Sequence, residues 1–249
     1  MDQFPPSPPP PVPPLHESLL APELPEVPWR AREALLIVLF ALLTGGFVSI
    51  LVATRFERGD PTLQLIVVLA LEGALGAWVL LWVKVRHGAG LRQLGLRFRA
   101  SDVGAGILAA LLGLAVGAAI TSIVLSIARS VSKHTVTTPQ QLPDINQRPQ
   151  WVLAFFAVVI VAPIAEELFF RGFLYQALRR WRGVTQGILL SALVFALAHV
   201  SPIIIPSIFA LGVILAFLFE RRGSLAATIA AHMSYNLIGF IAIIASSRR

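Results

Sequence analysis

Cysteine is absent from this chain of 249 residues. Its absence excludes structural disulfides, a thiolate nucleophile and a cysteine-ligated metal, although it does not identify a cellular compartment. Charged residues are also scarce, at 13% of the chain, against about a quarter in typical soluble domains. Hydrophobic residues make up 56%. The composition therefore predicts an integral membrane protein rather than a soluble globular domain.

Basic residues exceed acidic ones by seven, but they lie in short segments between apolar runs. This distribution is typical of membrane topology rather than of nucleic-acid binding, so we expect no nucleic-acid partner. Twelve basic residues fall in the connections on the side of the N-terminus, and seven fall on the other side. Because basic connections favour the cytoplasm, we expect a cytoplasmic N-terminus and a location in the cell (inner) membrane.

Residues 1–29 contain eleven of the eighteen prolines. This composition predicts a disordered cytoplasmic tail that is partly polyproline II helix. The tail lacks the basic start and apolar core of a signal peptide. A spacer is the favoured interpretation of the tail, and a segment that binds a partner protein is the alternative.

Residues 30–249 contain a series of apolar runs, each of which is long enough, or nearly so, to cross a bilayer. We therefore predict an all-α fold, a polytopic transmembrane helix bundle of about seven helices, with six and eight as alternatives. The predicted helices are Leu35–Val52, Leu63–Val83, Val103–Ile127, Trp151–Tyr175, Gly187–Val200, Ile203–Phe219 and Leu225–Ala245.

Three ionisable residues, Glu166, Glu167 and Arg171, interrupt the fourth apolar run. Charge at membrane depth is costly, which indicates a functional role. On a helix, Glu167 and Arg171 are i,i+4 neighbours with the acid first, the favourable order for an ion pair. Glu166 is turned away by about 100°. We expect Arg171 to neutralise Glu167, and Glu166 to face the bundle interior as the reactive group.

Polar residues also occur in later apolar runs: His199, with Phe195 one turn before it, and then His232 with Asn236 at i,i+4. Glu166 and His199 lie sixteen residues before and seventeen after Arg182, or about 25 Å from that connection. The other histidine and the asparagine lie about 14 to 20 Å from the next connection on the same side. The four side chains can therefore meet in one pocket, which we expect to be approached from the cytoplasmic side.

These residues form three motifs, Glu166-Glu167-x-x-x-Arg171, Phe195-x-x-x-His199 and His232-x-x-x-Asn236. In this order, they resemble the motifs of the CAAX protease and bacteriocin-processing family, which includes the type II CAAX prenyl endopeptidase. The resemblance covers roughly residues 150–240. It implies a membrane-embedded endopeptidase with its catalytic core in this segment, and a peptide or membrane-protein substrate, possibly a lipid-modified one.

The chemistry of the side chains supports such a mechanism. Glu166 can take a proton from a water that His199 helps to position. His232 and Asn236 can then donate hydrogen bonds to the oxyanion that forms on the scissile carbonyl. The remaining motif residues, Glu167, Arg171 and Phe195, are expected to support the site.

A zinc site is an alternative, because Glu166, His199 and His232 are possible ligands that leave a position open for water. We expect no cofactor, since Asn236 is a poor zinc ligand and a good oxyanion donor. Two further alternatives are a proton-coupled transporter and a non-catalytic immunity or binding protein. Glu72, the one acid of the second run, has no evident partner and is left out of the predicted site.

Overall fold

The computed structural model describes residues 24, 26–57, 59–131, 142, 143, 145 and 147–247. The predicted proline-rich tail therefore lies outside the described residues as far as residue 23. Within the described part of the chain there is no strand, and seven helices follow one another. The prediction of an all-α helix bundle is confirmed.

Seven helices form the bundle, and the fourth is a single continuous helix with two π-helical segments. In chain order they are α1 (Glu33–Ala53), α2 (Pro61–His87), α3 (Ala100–Val131), α4 (Arg148–Arg182), α5 (Val184–Leu197), α6 (Ile205–Arg222) and α7 (Leu225–Ser247).

Five of these helices, α1 to α4 and α7, are long and apolar enough to cross a membrane. The chain is an integral membrane protein. The other two differ from the predicted membrane spans. Helix α5 has only 14 residues, or about 21 Å against a hydrocarbon core of about 30 Å. Helix α6 has 18 residues, and the last three of them are charged.

Successive helices alternate in direction, so that their ends form two faces. The N-terminal face contains the connections at residues 88–99, 183 and 223–224, and the first of these contacts the last. There the Leu225 amide donates to the Gly95 carbonyl (2.8 Å), and the Gln176 side chain donates to Gln93 O (3.1 Å). On the opposite face, the side chains of Thr62 and Gln150 join the start of α2 to the start of α4.

The described part of the chain includes the last residues of the predicted tail. Trp29 is fully buried, its indole stacks on Phe173 at 5.2 Å, and its Nε1 donates to the Phe173 carbonyl at 3.0 Å. Leu24 and Val27 are buried in the same core. The sequence did not indicate these contacts, because a proline-rich composition gives no information about which apolar side chain finds a groove.

Helices α3 and α7 pack with their backbones in close contact at Gly106. A Cβ atom there would lie 2.8 Å from both the Ala227 carbonyl oxygen and the Ala231 nitrogen. Small residues allow this type of approach between membrane helices. At Gly104, by contrast, a Cβ atom would meet nothing within 4 Å. The contact fixes α7, which carries two of the predicted site residues.

The alternation of the helices makes the predicted orientation testable, because the chain has no cysteine of its own. Thr54 lies on the opposite face and Gly90 lies on the N-terminal face, and both are exposed. If the basic connections are cytoplasmic, a membrane-impermeant maleimide added to intact cells will label Thr54→Cys and leave Gly90→Cys unlabelled. Both variants will react after lysis. Labelling of Gly90→Cys alone in intact cells would reverse the orientation.

Candidate active site

Helix α4 carries two adjacent glutamates between two π-helical segments, Phe155–Val161 and Leu168–Tyr175. Pro163 lies between these segments and has no N–H to donate to the preceding turn. Just before it, the Ala162 N–H bonds to Ala157 O, an i→i−5 pattern. The wider turns change the direction in which side chains point, and such segments often occur at functional sites.

The predicted ion pair between Arg171 and Glu167 is present. Arg171 Nη1 lies 2.7 Å from Glu167 Oε1, and both side chains are almost completely buried. The guanidinium also donates to the Gly212 carbonyl at 3.1 Å and lies 4.5 Å from the centre of the Phe195 ring. These contacts hold Glu167 as a neutralised, immobile group between α4, α5 and α6.

His232 of α7 lies between the two glutamates. Its Nδ1 is 3.0 Å from Glu167 Oε1, and its Nε2 is 3.6 Å from Glu166 Oε2. Because the oxygen of the ionised Glu167 accepts, Nδ1 carries the hydrogen of that bond. The imidazole of His232 therefore bonds to Glu167, which Arg171 neutralises, and lies beside Glu166.

His199 and Asn236 each use one polar atom to hold their position. His199 Nδ1 lies 2.9 Å from the Phe195 carbonyl oxygen, which can only accept, so Nδ1 is the donor. Nε2 of a neutral His199 is then an acceptor. The Asn236 amide donates to the Val158 carbonyl at 2.8 Å. Its second N–H and its oxygen make no hydrogen bond to the described residues.

One cavity of about 480 Å³ is lined by all four residues predicted to be catalytic, Glu166, His199, His232 and Asn236. The predicted wall residue Phe195 also lines it, and its buried ring contacts both imidazoles, with centroid distances of 5.0 Å to His199 and 5.8 Å to His232. The helix positions in the sequence were therefore sufficient to bring these side chains together.

The cavity extends toward the face opposite the N-terminal one. The sequence had predicted an approach from the side of the N-terminus. Its lining includes Leu142, Ser201 and Ile204 from the connections on the opposite face, and no described residue from the connections of the N-terminal face. The physical reason lies in the depth itself. A position about 25 Å from one face of a core about 30 Å thick is closer to the other face.

Glu72 of α2, which was not among the predicted site residues, also lines the cavity. Its Oε2 is buried and has no hydrogen-bond partner among the described residues. The available signal was the cost of a lone carboxyl group in an apolar run. Without the three-dimensional packing, nothing in the sequence indicated which helix it faces.

The alternative zinc site does not have the arrangement of a metal centre. Among the described residues, no three His, Cys, Asp or Glu side chains are grouped so that they could hold a metal ion. Both histidines keep Nε2 unbonded, with Nδ1 held by Glu167 or by the Phe195 carbonyl, as metal-ligating histidines often do. It is the positions of the three side chains, not a lack of free nitrogens, that separate this conformation from a three-ligand zinc site.

Residues 148–238 match the family described as type II CAAX prenyl endopeptidase Rce1-like. This segment of the chain is assigned to the CAAX protease family. The match begins at the start of α4 and ends two residues after Asn236, so it contains all three motifs. Helices α1 to α3 lie outside it. No curated protein and no solved structure matches the chain.

The match supports the general class of activity, that of an intramembrane CAAX-type endopeptidase. The environment of such an enzyme is the bilayer, and its substrates are peptides. The buried contacts of the chain also predict which of its ion pairs is important for stability.

Replacing Arg171 with methionine leaves Glu167 charged and without its main partner. We expect Arg171→Met to lower the free energy of unfolding in detergent micelles by about 3–5 kcal/mol. The double variant Arg171→Met/Glu167→Gln should recover part of this loss, because it also removes the stranded charge.

The control for this prediction is Arg179→Met. Arg179 pairs with Glu220, but 32% of its side chain is exposed. Such a pair contributes about 1 kcal/mol or less. Equal losses for Arg171→Met and Arg179→Met, or additive effects in the double variant, would contradict the importance of the buried pair.

Proposed function

We propose that this protein hydrolyses a peptide bond of a lipid-linked or membrane-embedded substrate with a water that Glu166 activates. One observation carries the proposal. Glu167 is neutralised by Arg171 and held by His232, whereas Glu166, the next residue, makes no hydrogen bond to a described residue and lines the cavity. One carboxyl group is therefore fixed in place and its neighbour is available to react.

In the first step, the Glu166 carboxylate takes a proton from the water as the water oxygen adds to the scissile carbonyl carbon. His199 positions this water through Nε2, because Nδ1 is held by the Phe195 carbonyl. The carbonyl π bond becomes a lone pair on oxygen, which gives a tetrahedral oxyanion.

The oxyanion accepts hydrogen bonds from Asn236 and His232, which stabilise the developing charge. Asn236 has one amide hydrogen left after its bond to Val158. His232 already donates from Nδ1 to Glu167. It can donate from Nε2 as well only when both ring nitrogens carry a hydrogen.

In the second step, Glu166 passes its proton to the amide nitrogen and the carbon–nitrogen bond breaks. The products are a carboxylic acid and an amine, and Glu166 returns to the carboxylate. Glu167 and Arg171 take no part in the proton transfers; they hold His232 and the neighbouring helices in place.

The variant Glu166→Gln keeps the size of the side chain and removes the base. We expect it to lower kcat for a fluorogenic prenylated CAAX peptide by at least about 10²- to 10⁴-fold, with little change in thermal unfolding. The matched control is Glu220→Gln, an acid of similar partial burial, which pairs with Arg179 and Tyr175 outside the cavity. Cleavage by Glu166→Gln at the rate of the control would exclude this mechanism.

Metal dependence is tested separately. The proposed mechanism needs no metal, so protein purified to a metal content far below one ion per chain should cleave the same peptide at the full rate per chain. Metal content and rate are measured on the same samples. A rate that rises in proportion to bound zinc, and that returns when zinc is added back, would favour the metalloprotease.

A further inference from the structure

Glu72 is the one acid that lines the cavity and has no role in the mechanism above. It lies on α2, outside the segment that matches the protease family. Like Glu166, it has a buried Oε2 without a hydrogen-bond partner among the described residues. Two carboxyl groups from different helices therefore line the same cavity, and the Oε2 atom of each accepts no hydrogen bond from a described residue.

The packing of α2 against α4 brings the two acids together. A Cβ atom at Gly76 would lie 3.4 Å from the Ala165 Cβ, so the helices cross closely at this point. Glu72 is one turn before Gly76, and Glu166 directly follows Ala165. Both side chains line the same cavity, and the Oε2 atom of each is buried.

The cations near the chamber cannot neutralise both acids. On α4, Arg171 is already bonded to Glu167 and to the Gly212 carbonyl. On α5, His199 donates a hydrogen bond from Nδ1 to the Phe195 carbonyl. On α7, His232 bonds to Glu167 through Nδ1 and lies 3.6 Å from Glu166 Oε2 through Nε2, so this one imidazole is shared between two acids, and Tyr235 is a neutral phenol.

Carboxyl groups that share an apolar site do not both ionise, because the like charges repel each other and burial disfavours each of them. A single proton bound to the pair removes this repulsion at the smallest cost.

We propose that Glu72 and Glu166 share one proton, and that Glu72 is a positioning residue that keeps this proton while Glu166 acts as the base. The proposal rests on the proposed function. The neutral Glu72 donates a hydrogen bond into the chamber, toward the water or the carboxylate of Glu166, and orients them for attack. Its own proton stays in place throughout the cycle. The water proton still passes through Glu166 to the amine, so the balance of hydrolysis is unchanged.

The first test compares Glu72→Gln with Glu72→Ala on the prenylated CAAX peptide. Glutamine imitates a neutral Glu72 that cannot lose its proton. We expect Glu72→Gln to keep kcat within about threefold near neutral pH, while the alkaline limb of its pH profile moves up by about one pH unit or more. Glu72→Ala should lower kcat by about 10- to 100-fold with little change in KM, because the water loses its orientation.

Three results would overturn the proposal. The first is a Glu72→Gln profile that superimposes on that of the wild type at all pH values. The second is a uniform loss of activity with an unchanged profile, which indicates a structural role alone. The third is a rise in KM with kcat and profile unchanged, which indicates a contact with substrate. Glu220→Gln serves as the control, and the shape of its profile should match the wild type.

A second measurement does not depend on activity. Infrared spectroscopy detects the carbonyl band of protonated carboxyl groups, and the band can be titrated with pH in reconstituted protein. We expect Glu72→Gln to change the titration of Glu166, and Glu166→Gln to change that of Glu72, whereas Glu220→Gln alters neither. If the two acids titrate independently, they share no proton. If they titrate together but no variant or wild type cleaves the peptide, the shared proton stands and the proposed function fails.

Discussion

The buried ion pair between Arg171 and Glu167 is the interaction on which the rest of the site depends. An acid at membrane depth is tolerated only when its charge is neutralised or put to use. Arg171 neutralises Glu167 at 2.7 Å and joins α4 to α6 through the Gly212 carbonyl. Arg171 bonds to Glu167 and to the Gly212 carbonyl but not to the adjacent Glu166, which has no hydrogen-bonded cation among the described residues. Two neighbouring residues of one helix thus have different roles: Glu167 is a structural acid, and Glu166 is the proposed reactive acid.

The remaining contacts place partners around the reactive acid. The same Glu167 carboxylate holds His232, and the Phe195 carbonyl holds His199. Close backbone packing at Gly106 fixes α7 against α3, and packing at Gly76 fixes α2 against α4. Each polar group thus has one atom committed to the scaffold and another available to the cavity. This division is what preorganised catalysis requires, since reorientation during the reaction is avoided.

Much of this could be predicted from the sequence, because it depends on local periodicity. The i,i+4 spacing gave the Glu167–Arg171 pair, and apolar run lengths gave seven helices. Counting residues from the connections showed that Glu166 and His199 reach similar depth. These quantities follow from the rise and rotation of a helix, so they need no knowledge of the packing.

The rest depends on how helices rotate and cross, which local spacing does not determine. The place of Glu72 was missed because only the packing of α2 against α4 brings it to the cavity that Glu166 lines. The burial of Trp29 was missed because it results from a groove formed by distant residues. The side on which the cavity extends was predicted in the wrong direction, since a depth from one face was not compared with the thickness of the membrane.

The central claim is that the scissile bond lies in the chamber of Glu166, next to His199 and opposite Asn236. The most direct measurement is an experimental structure of the Glu166→Gln variant with an uncleaved prenylated CAAX peptide bound. The account predicts that the scissile carbonyl carbon lies beside residue 166, with its oxygen within about 3.2 Å of a donor on Asn236 or His232. A peptide bound with its scissile bond outside this cavity, or with residue 166 turned away from it, would contradict the account.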